Sequence, residues 1–427
     1  MWVLCDINAA YVSFCQLFNP QYDFDKTPLG VLSSNQGNVV ARNQAIKDLG
    51  IKMGEPAFKV KQLVAAHGGH LWGSNFTLFG DLSNRFHTEL EYFLFDTIRY
   101  SVDECFGRID INYTKDIKDY AHNIQRTLKR NLGISCGLGI SQTITLAKLG
   151  SHCAKKKEWK EHTNGVVVLD SQYKIDWALK HTHVEDIWGV GSKTTKKLNK
   201  FGIYTGYDLK NADISWIKKT FTVVLARTVE ELRGKPAVEL KDINDSRDRI
   251  CVSQSMGKPV IELTELSEAV TAHATKAAFK LRRFKSYTSA ITVFIHTDSF
   301  RQAEPQYHKS QSIKLPYPTA DTSTLVSYAS FALKAIFKKG FKYKKAGVIF
   351  YELSLQDDMQ QLELLSETLP LNISSKTLVI DEINKKFGRS TLKLASEGLS
   401  QSWRPKDDLA PLNYTTKLSD IPTAKAK

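Results

Sequence analysis

Three carboxylates of this chain have the spacing of a metal site. Asp6 follows the apolar run from Met1 to Cys5, which is typical of a short buried strand. Asp103 and Glu104 separate two β-rich runs, residues 97–102 and 105–111, which predicts a hairpin with two acids at its tip. Clustered carboxylates repel one another unless divalent cations neutralise them, and Mg²⁺ prefers such oxygen ligands. Two ions roughly 4 Å apart could activate an attacking oxygen and stabilise a leaving one.

Each acid also has an ordinary explanation. Asp6 alone could cap a turn, and Asp103 with Glu104 could decorate a solvated hairpin. The metal site is favoured because both features occur in a basic chain, in which 59 Lys and Arg oppose 45 Asp and Glu and leave a charge of +14. Such an excess favours a polyanionic partner, although general solubility also explains a basic surface.

The elements around the acids predict an α+β layer. Strands at 1–7, 97–102, 105–111 and 135–140 alternate with helices at 78–95 and 117–131, and a basic helix follows at 143–157. This order is typical of a ferredoxin-like sheet with one open face. Residues 23–74 form a small inserted module, in which 40–49 have a helical pattern that ends at Gly50.

The rest of the chain predicts further units, since 427 residues are too many for one core. Residues 166–236 have a mostly helical pattern. Residues 244–355 repeat the mixed pattern, with strands and helices predicted at 249–256, 266–284, 290–296, 311–315, 322–338 and 345–352. From residue 356 onward the pattern is irregular.

A helix, a Gly-x-Gly turn and a second helix are predicted between residues 184 and 213. Gly189 and Gly191 form the turn, and Lys193 and Lys196 follow it. Glycines let a backbone approach a phosphate, and the N–H groups of a helix N-terminus can bind one. Many helix pairs turn this way without a ligand, but the lysines favour sequence-independent binding to nucleic acid.

The cysteines and the N-terminus indicate the compartment. Six scattered cysteines without a Cys-x-x-Cys pair predict neither a zinc site nor disulfides, which fits a reducing cytosol. Asp6 interrupts the first apolar run, so that run does not resemble a signal peptide. No run has the length of a membrane span. We expect a cytoplasmic protein with no membrane partner.

Several segments resemble one family. Asp6-Ile7-Asn8-Ala9-Ala10-Tyr11 and Ser101-Val102-Asp103-Glu104 are similar to the metal-binding motifs of Y-family DNA polymerases, and residues 39–54, 74–85 and 139–156 resemble its mutagenic, UmuC-type branch. The resemblance implies a multidomain right hand of the α+β class. Its implied parts are a ferredoxin-like palm (1–22 and 75–165), small fingers (23–74), a helical thumb with a helix–hairpin–helix (166–236), an α+β little finger (244–355) and a C-terminal tail (356–427).

The resemblance also implies an activity and a site. The activity is template-directed DNA synthesis opposite and past damaged bases, with low fidelity, in mutagenic DNA repair and the SOS response. Two Mg²⁺ ions, for which Mn²⁺ could substitute, would be held by Asp6, Ile7 through its carbonyl, Asp103 and Glu104. The implied nucleotide contacts are Asn8, Ala9, Ala10, Tyr11, Ala41, Lys47 and Lys155.

Within that pocket, Tyr11 would exclude a 2′-hydroxyl, and Lys47 and Lys155 would reach the triphosphate. Lys148 is better explained as part of a solvated helix face. Two positions depart from the pattern: Gln44 stands where many relatives have tyrosine, and Ala10 stands where another aromatic residue often precedes the gate.

The implied partners are primer-template DNA, deoxynucleoside triphosphates and three proteins. Gln361, Leu362, Leu364 and Leu365 resemble the peptide that docks into a sliding clamp, with Leu365 where phenylalanine is usual. Residues 387–419 resemble a tail that engages a UmuD-type accessory protein and a RecA-type recombinase filament. The expected location is therefore nucleoid-associated within the cytoplasm.

Two other functions remain open at this point. Another two-metal enzyme on a similar sheet, such as a nucleotide cyclase, would need neither the helix–hairpin–helix nor the clamp peptide. A non-catalytic DNA-binding scaffold would not need Asp6, Asp103 and Glu104 to be intact.

Overall fold

A computed structural model describes residues 1–110, 116–156, 159, 162–238, 248–355, 373–388 and 390–423. The chain forms two units, residues 1–245 with 408–427, and residues 246–407. Within the described ranges, the structure contains no helix that is long and apolar enough to cross a membrane. The domain borders implied by the resemblance are finer than this division and stay predictions.

The first unit contains eight strands and eleven α-helices among its described residues. In chain order these are β1 (Trp2–Ile7), α1 (Ala10–Gln16), β2 (Leu29–Leu32), β3 (Val39–Arg42), α2 (Gln44–Asp48), α3 (Ala57–Ala66), β4 (His70–Gly73), α4 (Phe76–Leu90), β5 (Phe95–Arg99), β6 (Glu104–Arg108), α5 (Ile117–Leu132), β7 (Cys136–Ser141), α6 (Ile144–Lys155), β8 (Val166–Leu169), α7 (Gln172–Lys180), α8 (Ser192–Asn199), α9 (Gly206–Asn211), α10 (Ile214–Thr220) and α11 (Val223–Leu232).

The main sheet of this unit has the order β5-β6-β1-β7-β8, with β1 antiparallel to both of its neighbours. Its first four strands, with α4 and α5, confirm the predicted ferredoxin-like order. Side chains alternate between the faces of a strand. Val3, Cys5 and Ile7 therefore pack with α4 and α5, whereas Leu4 packs with α6. Asp6 lies on the α6 side, so part of the face that was expected to be open is covered.

A second sheet, β3-β2-β4, carries α2 and α3. The prediction of a helix at 40–49 is partly wrong, because residues 40–42 belong to strand β3. Asn43 separates the strand from the helix: its side chain accepts a hydrogen bond from Ile46 N at 3.2 Å and thereby caps α2. The mostly helical pattern of 166–236 is confirmed from residue 172 onward, but β8 pairs in parallel with β7.

The second unit is an antiparallel sheet covered by two long helices. Its elements are β9 (Arg249–Val260), α12 (Leu263–Arg283), β10 (Ser286–Thr297), β11 (His308–Thr319), α13 (Thr322–Ile336), β12 (Tyr343–Leu355) and α14 (Ser375–Phe387), with the strand order β11-β10-β12-β9. The six elements predicted between residues 249 and 352 are confirmed. The strands are longer than predicted, because their ends are rich in polar residues, proline and glycine and carry no apolar alternation.

The C-terminal residues are more regular than expected. Helix α14 follows Ser374 and is anchored by polar contacts, since Arg282 donates to both carboxylate oxygens of Asp381 at 2.6 and 2.8 Å. Thr377 is its one buried residue and donates to Asp321 at 3.0 Å. The helix was missed because it has no buried apolar stripe from which a periodicity could be detected.

Two later segments of the tail also pack closely. Trp403 is 1% exposed and lies in the core of the second unit, and its carbonyl accepts a hydrogen bond from Gly257 N at 2.9 Å. In the first unit, the carbonyl of Leu409 accepts from Gly73 N at 2.8 Å, and Tyr414 stacks on Phe18 with the ring centroids 4.5 Å apart.

We expect the second unit to lose stability in mild acid through His273. This side chain is buried against Trp403, and burial lowers the pKa of His273 to about 4, with the charges of Lys276 and Arg404 acting in the same direction. Since an unfolded histidine titrates near 6.5, the unfolded state gains the proton first, and about 3 kcal/mol of stability is lost as the pH falls from 7 to 4. Urea unfolding should show this extra slope in the wild type and not in His273→Gln. An identical slope in both would contradict it.

Candidate active site

Strand pairing brings two of the three acids together. Asp6 and Glu104 are direct partners in the antiparallel pair β1–β6, so both lie on the α6 side of the sheet. Asp103 is next to them, because Ile7 N donates to the carbonyl of Asp103 at 2.9 Å. The predicted strand end and hairpin tip are therefore adjacent.

Gly139 allows α6 to pack close to this sheet. A Cβ atom at this position would lie 2.0 Å from Ser151 N and 2.1 Å from the carbonyl oxygen of Ala147, both in α6. Lys148 and Lys155 are seven residues apart on that helix, about two turns, so they lie on one face. The close packing places both ammonium groups beside the acids.

Each acid has a partner within the chain. Lys148 Nζ lies 2.6 Å from Glu104 Oε1, and Lys155 Nζ contacts Asp6 and donates to the carbonyl of Ile7 at 3.1 Å. Asp103 accepts a hydrogen bond from the Ser101 hydroxyl at 2.6 Å. Burial raises the pKa of Asp6 to about 6 against the opposing charge of Lys155, while the charges of Glu104 and Asp103 add to the rise.

The oxygen atoms of this site are of the type that binds a divalent cation. Their positions in this structure are not those of a metal-coordination shell. Three carboxylates and the Ile7 carbonyl are hard oxygen ligands of the kind Mg²⁺ prefers. Among the residues that the structure describes, however, no three acidic, histidine or cysteine side chains converge as a ready metal cage. Lysines hold two of the carboxylates instead. The residues fit the ion once Lys148 and Lys155 release Glu104 and Asp6.

A cavity of about 450 Å³ opens beside these pairs. Its lining includes Asp6, Gln44, Lys47, Glu104, Lys148 and Lys155. Burial, with the charges of Arg42 and Lys155, lowers the pKa of Lys47. Carboxylates and three lysines in one cavity have the chemistry to bind a divalent cation together with phosphate groups.

The Tyr11 ring is not part of the cavity lining and packs against two other aromatic rings. It stacks on Phe79 with the centroids 4.7 Å apart and the planes at 10°, and Phe76 meets it edge-on at 6.0 Å. Burial and the charge of Asp103 raise the pKa of Tyr11. A rigid ring therefore stands beside the acids.

Four further residues were predicted to contact the nucleotide: Asn8, Ala9, Ala10 and Ala41. Ala9 adopts the left-handed conformation with φ of 44°, which is strained for a residue other than glycine, and Asn8 N donates to the Ser135 carbonyl at 2.9 Å. Ala10 and Ala41 are buried. Their proposed contacts with a nucleotide stay predictions.

Comparisons with known proteins show the family. The impB/mucB/samB family model matches residues 5–152, and its C-terminal domain model matches 247–364. Protein UmuC of Salmonella typhimurium is 38% identical over 423 residues, 99% of each chain, and Protein MucB of Salmonella typhimurium is 36% identical over 429 residues, all of each chain. The chain belongs to the UmuC-like branch of the Y-family DNA polymerases. It is a DNA-directed DNA polymerase of the translesion type, which decides against the cyclase and scaffold alternatives.

Solved structures show the same fold. A Y-family DNA polymerase chimera of Dbh and Dpo4 matches with a TM-score of 0.64 at 17% identity, over 83% of this chain and 99% of that chain. A Dbh ternary complex matches with a TM-score of 0.52 at 18% identity, over 83% of this chain and all of that one. The predicted α+β fold class is confirmed.

The thumb hairpin of this polymerase matches a family helix–hairpin–helix model over residues 174–203. Gly189 has φ of +87°, which favours glycine, and Gly191 precedes α8. Gly191, Lys193 and Lys196 are exposed, so the start of α8 is open to a ligand. Their role in DNA binding stays a prediction.

Three residues of this site were missed from the sequence. Lys148 pairs with Glu104, although a solvated position was favoured for it; its spacing from Lys155 was the available signal. Trp188, next to Gly189, packs against the rings of Tyr100 and Phe106. Glu231 is 1% exposed and accepts from Thr145 N at 3.0 Å, so the thumb caps α6. No sequence signal links Glu231 to α6.

The clamp-like peptide, residues 361–365, lies outside the described residues. Residues 377–424, which include much of the tail, match a family model for a domain of unknown function.

Proposed function

We propose that this polymerase inserts deoxynucleotides opposite and past damaged template bases with low fidelity, by two-metal-ion nucleotidyl transfer at Asp6, Asp103 and Glu104. The observation that carries the proposal is the pairing of Asp6 with Glu104 across β1 and β6, in one cavity with three lysines. This arrangement brings carboxylate ligands for metal ions and ammonium groups for phosphates into one cavity, and nucleotidyl transfer uses both kinds of group.

The side chains divide the chemistry between them. When bound, two Mg²⁺ ions, or Mn²⁺ in their place, would activate the primer 3′-hydroxyl and neutralise the pyrophosphate leaving group. Asp6, Asp103, Glu104 and the Ile7 carbonyl supply the oxygen ligands. Lys47 and Lys155 line the same cavity, and their ammonium groups would bind the triphosphate and offset its charge.

Low fidelity follows from the small size of the fingers. Between β2 and β4 the fingers contain three short strands and two helices. So small a module cannot enclose the new base pair tightly, and selection by shape is therefore weak. Distorted templates are admitted for the same reason.

We propose the partners that the family resemblance implies. Primer-template DNA and deoxynucleoside triphosphates are the substrates, and the exposed start of α8 is suited to the DNA backbone. A sliding clamp would bind Gln361, Leu362, Leu364 and Leu365, and the tail would engage a UmuD-type protein and a RecA-type filament. We also propose a role in SOS mutagenesis and a cytoplasmic, nucleoid-associated location; both rest on the UmuC-type assignment, which the 38% identity to Protein UmuC supports.

Primer extension past an abasic site tests the proposal. With Mg²⁺ we expect products longer than the lesion position, more of them with clamp and accessory protein than without. An undamaged template of matched sequence is the control. If synthesis always stops before the lesion while the undamaged template is copied, lesion bypass is wrong.

We expect Tyr11→Ala to admit ribonucleotides. Removing the ring opens space where a 2′-hydroxyl would otherwise collide, so discrimination between deoxy- and ribonucleotides should fall roughly tenfold or more. Tyr11→Phe is the matched control, since it keeps the ring on Phe79 and loses only the hydroxyl. Single-nucleotide insertion kinetics would measure both. Unchanged sugar selectivity in Tyr11→Ala would reject the gate.

A further inference from the structure

Lys148 lies in a box of three aromatic rings beside the carboxylates. Its Nζ is 4.6 Å from the ring centroid of Tyr100 and 5.9 Å from those of Phe106 and Trp188. Trp188 Nε1 donates to the Tyr100 hydroxyl at 3.1 Å and so ties two walls of the box together. We call Tyr100, Phe106 and Trp188 the aromatic box.

The box offers the ammonium group an alternative to its ion pair. The Lys148 and Glu104 side chains are only 21% and 18% exposed, so solvent screens their charges weakly. A divalent cation on Glu104 would repel Lys148 at this range. Aromatic faces attract cations, most strongly where water is excluded, so Lys148 could give up the carboxylate and remain in the box.

We propose that Lys148 is a positioning residue that exchanges partners: it neutralises Glu104 before the metal binds, and it moves fully onto the aromatic box when a divalent cation takes that carboxylate. This inference rests on the proposed metal site. It accounts for the present arrangement, in which the carboxylates do not converge while a lysine holds Glu104.

The box also connects the metal site to the thumb. Trp188 lies between Ile187, which is buried in the thumb core, and Gly189 of the hairpin. Any displacement of the hairpin would therefore move one wall of the box. Through Lys148, that movement would change how readily Glu104 is released.

Fluorine NMR of the full chain labelled with 5-fluorotryptophan tests the exchange. The chain has seven tryptophans, and Trp188→Phe assigns the Trp188 signal by its loss. Mg²⁺ is titrated without DNA or nucleotide, and binding is followed in parallel by calorimetry. We expect the Trp188 signal to shift with the same saturation curve as binding, while the buried Trp403 signal stays unchanged as an internal control.

Variants at Lys148 separate exchange from mere proximity. In Lys148→Met the Trp188 shift should disappear, and Mg²⁺ should bind about three- to tenfold more tightly, because the competing cation is gone. Lys148→Arg keeps the cation and should restore the shift. The six other fluorine signals show whether each variant is folded.

The outcomes distinguish this inference from the proposed function. Calorimetric Mg²⁺ binding without a Trp188 shift would overturn the exchange and leave the metal site intact. A shift that persists in Lys148→Met would also overturn it. A chain that binds no Mg²⁺, whether alone or with primer-template and nucleotide, would overturn the metal site and the exchange together.

Discussion

Asp6→Asn is expected to lower the rate of primer extension by roughly a thousandfold or more while primer-template binding is retained. Asp6 is the second-last residue of the central strand β1, pairs with Glu104, and is contacted by Lys155. Asparagine has almost the same shape but cannot balance the charge of a cation. The partly buried Lys155 would also lose its ion pair. Single-turnover extension and fluorescence anisotropy with labelled primer-template would measure the two effects separately.

Asp96→Asn is the matched control for this change. Asp96 lies on the strand next to β6, is exposed, and pairs with Arg108 at 3.3 Å, away from the acids. Its φ of 48° is one that asparagine tolerates well. Extension should therefore be unchanged in Asp96→Asn. Equal losses in both variants would mean that Asp6 has no special part in the reaction.

Trp403→Ala should lower the free energy of unfolding of the second unit by about 3–5 kcal/mol. Trp403 is 1% exposed, packs edge-on against His273 with the ring centroids 5.4 Å apart, and lies among the core side chains of that unit. Its removal would leave a cavity that the surrounding strands and helices cannot fill. Urea unfolding, with hydrogen exchange in α12 and β9, would measure the loss.

Leu399→Ala tests whether this effect belongs to Trp403 or to the segment as a whole. Leu399 is 98% exposed only four residues away, so its truncation should change stability by less than about 0.5 kcal/mol. If Trp403→Ala unfolded at the same urea concentration as the wild type, the tail would not be part of the core of the second unit.

Four strands of the sheet that carries Asp6 and Glu104 could be predicted from short β-rich runs, whereas β8 was missed in a segment with a mostly helical pattern. Strands such as β1 are short, buried and bounded by polar residues, and the strand–helix order allows few topologies. The register between β1 and β6 could not be predicted, since it depends on the whole hairpin. That register decides that Asp6 faces Glu104.

In the fingers and the tail, local sequence patterns were insufficient to predict the secondary structure. Residues 39–42 show only a weak alternation of buried and partly exposed side chains and come directly before a helix, so this strand was predicted as the start of that helix. The missed signal was Asn43, which caps the helix. Helix α14 is held by Asp381 and Thr377, and contacts with distant partners leave no period in the sequence.

The contacts of the site depend on packing between distant elements. Lys148 reaches Glu104 only because Gly139 lets α6 lie close to β7. Trp188 lies within residues 184–213, for which nucleic-acid binding was predicted, yet its ring packs with Tyr100 and Phe106 and completes the aromatic box. Neither contact can be inferred from spacing alone, because each depends on how a helix is rotated on the sheet.

Primer extension with Mg²⁺ by the wild type and Asp103→Asn, on one primer-template and with binding measured alongside, tests the central claim most directly. Asp103 lies beside Asp6 and Glu104 through its hydrogen-bonded backbone. We predict that the wild type adds nucleotides in the order set by the template, and that Asp103→Asn binds the same DNA but does not extend it. Equal extension by both would contradict the assignment of these carboxylates to the catalytic metal site.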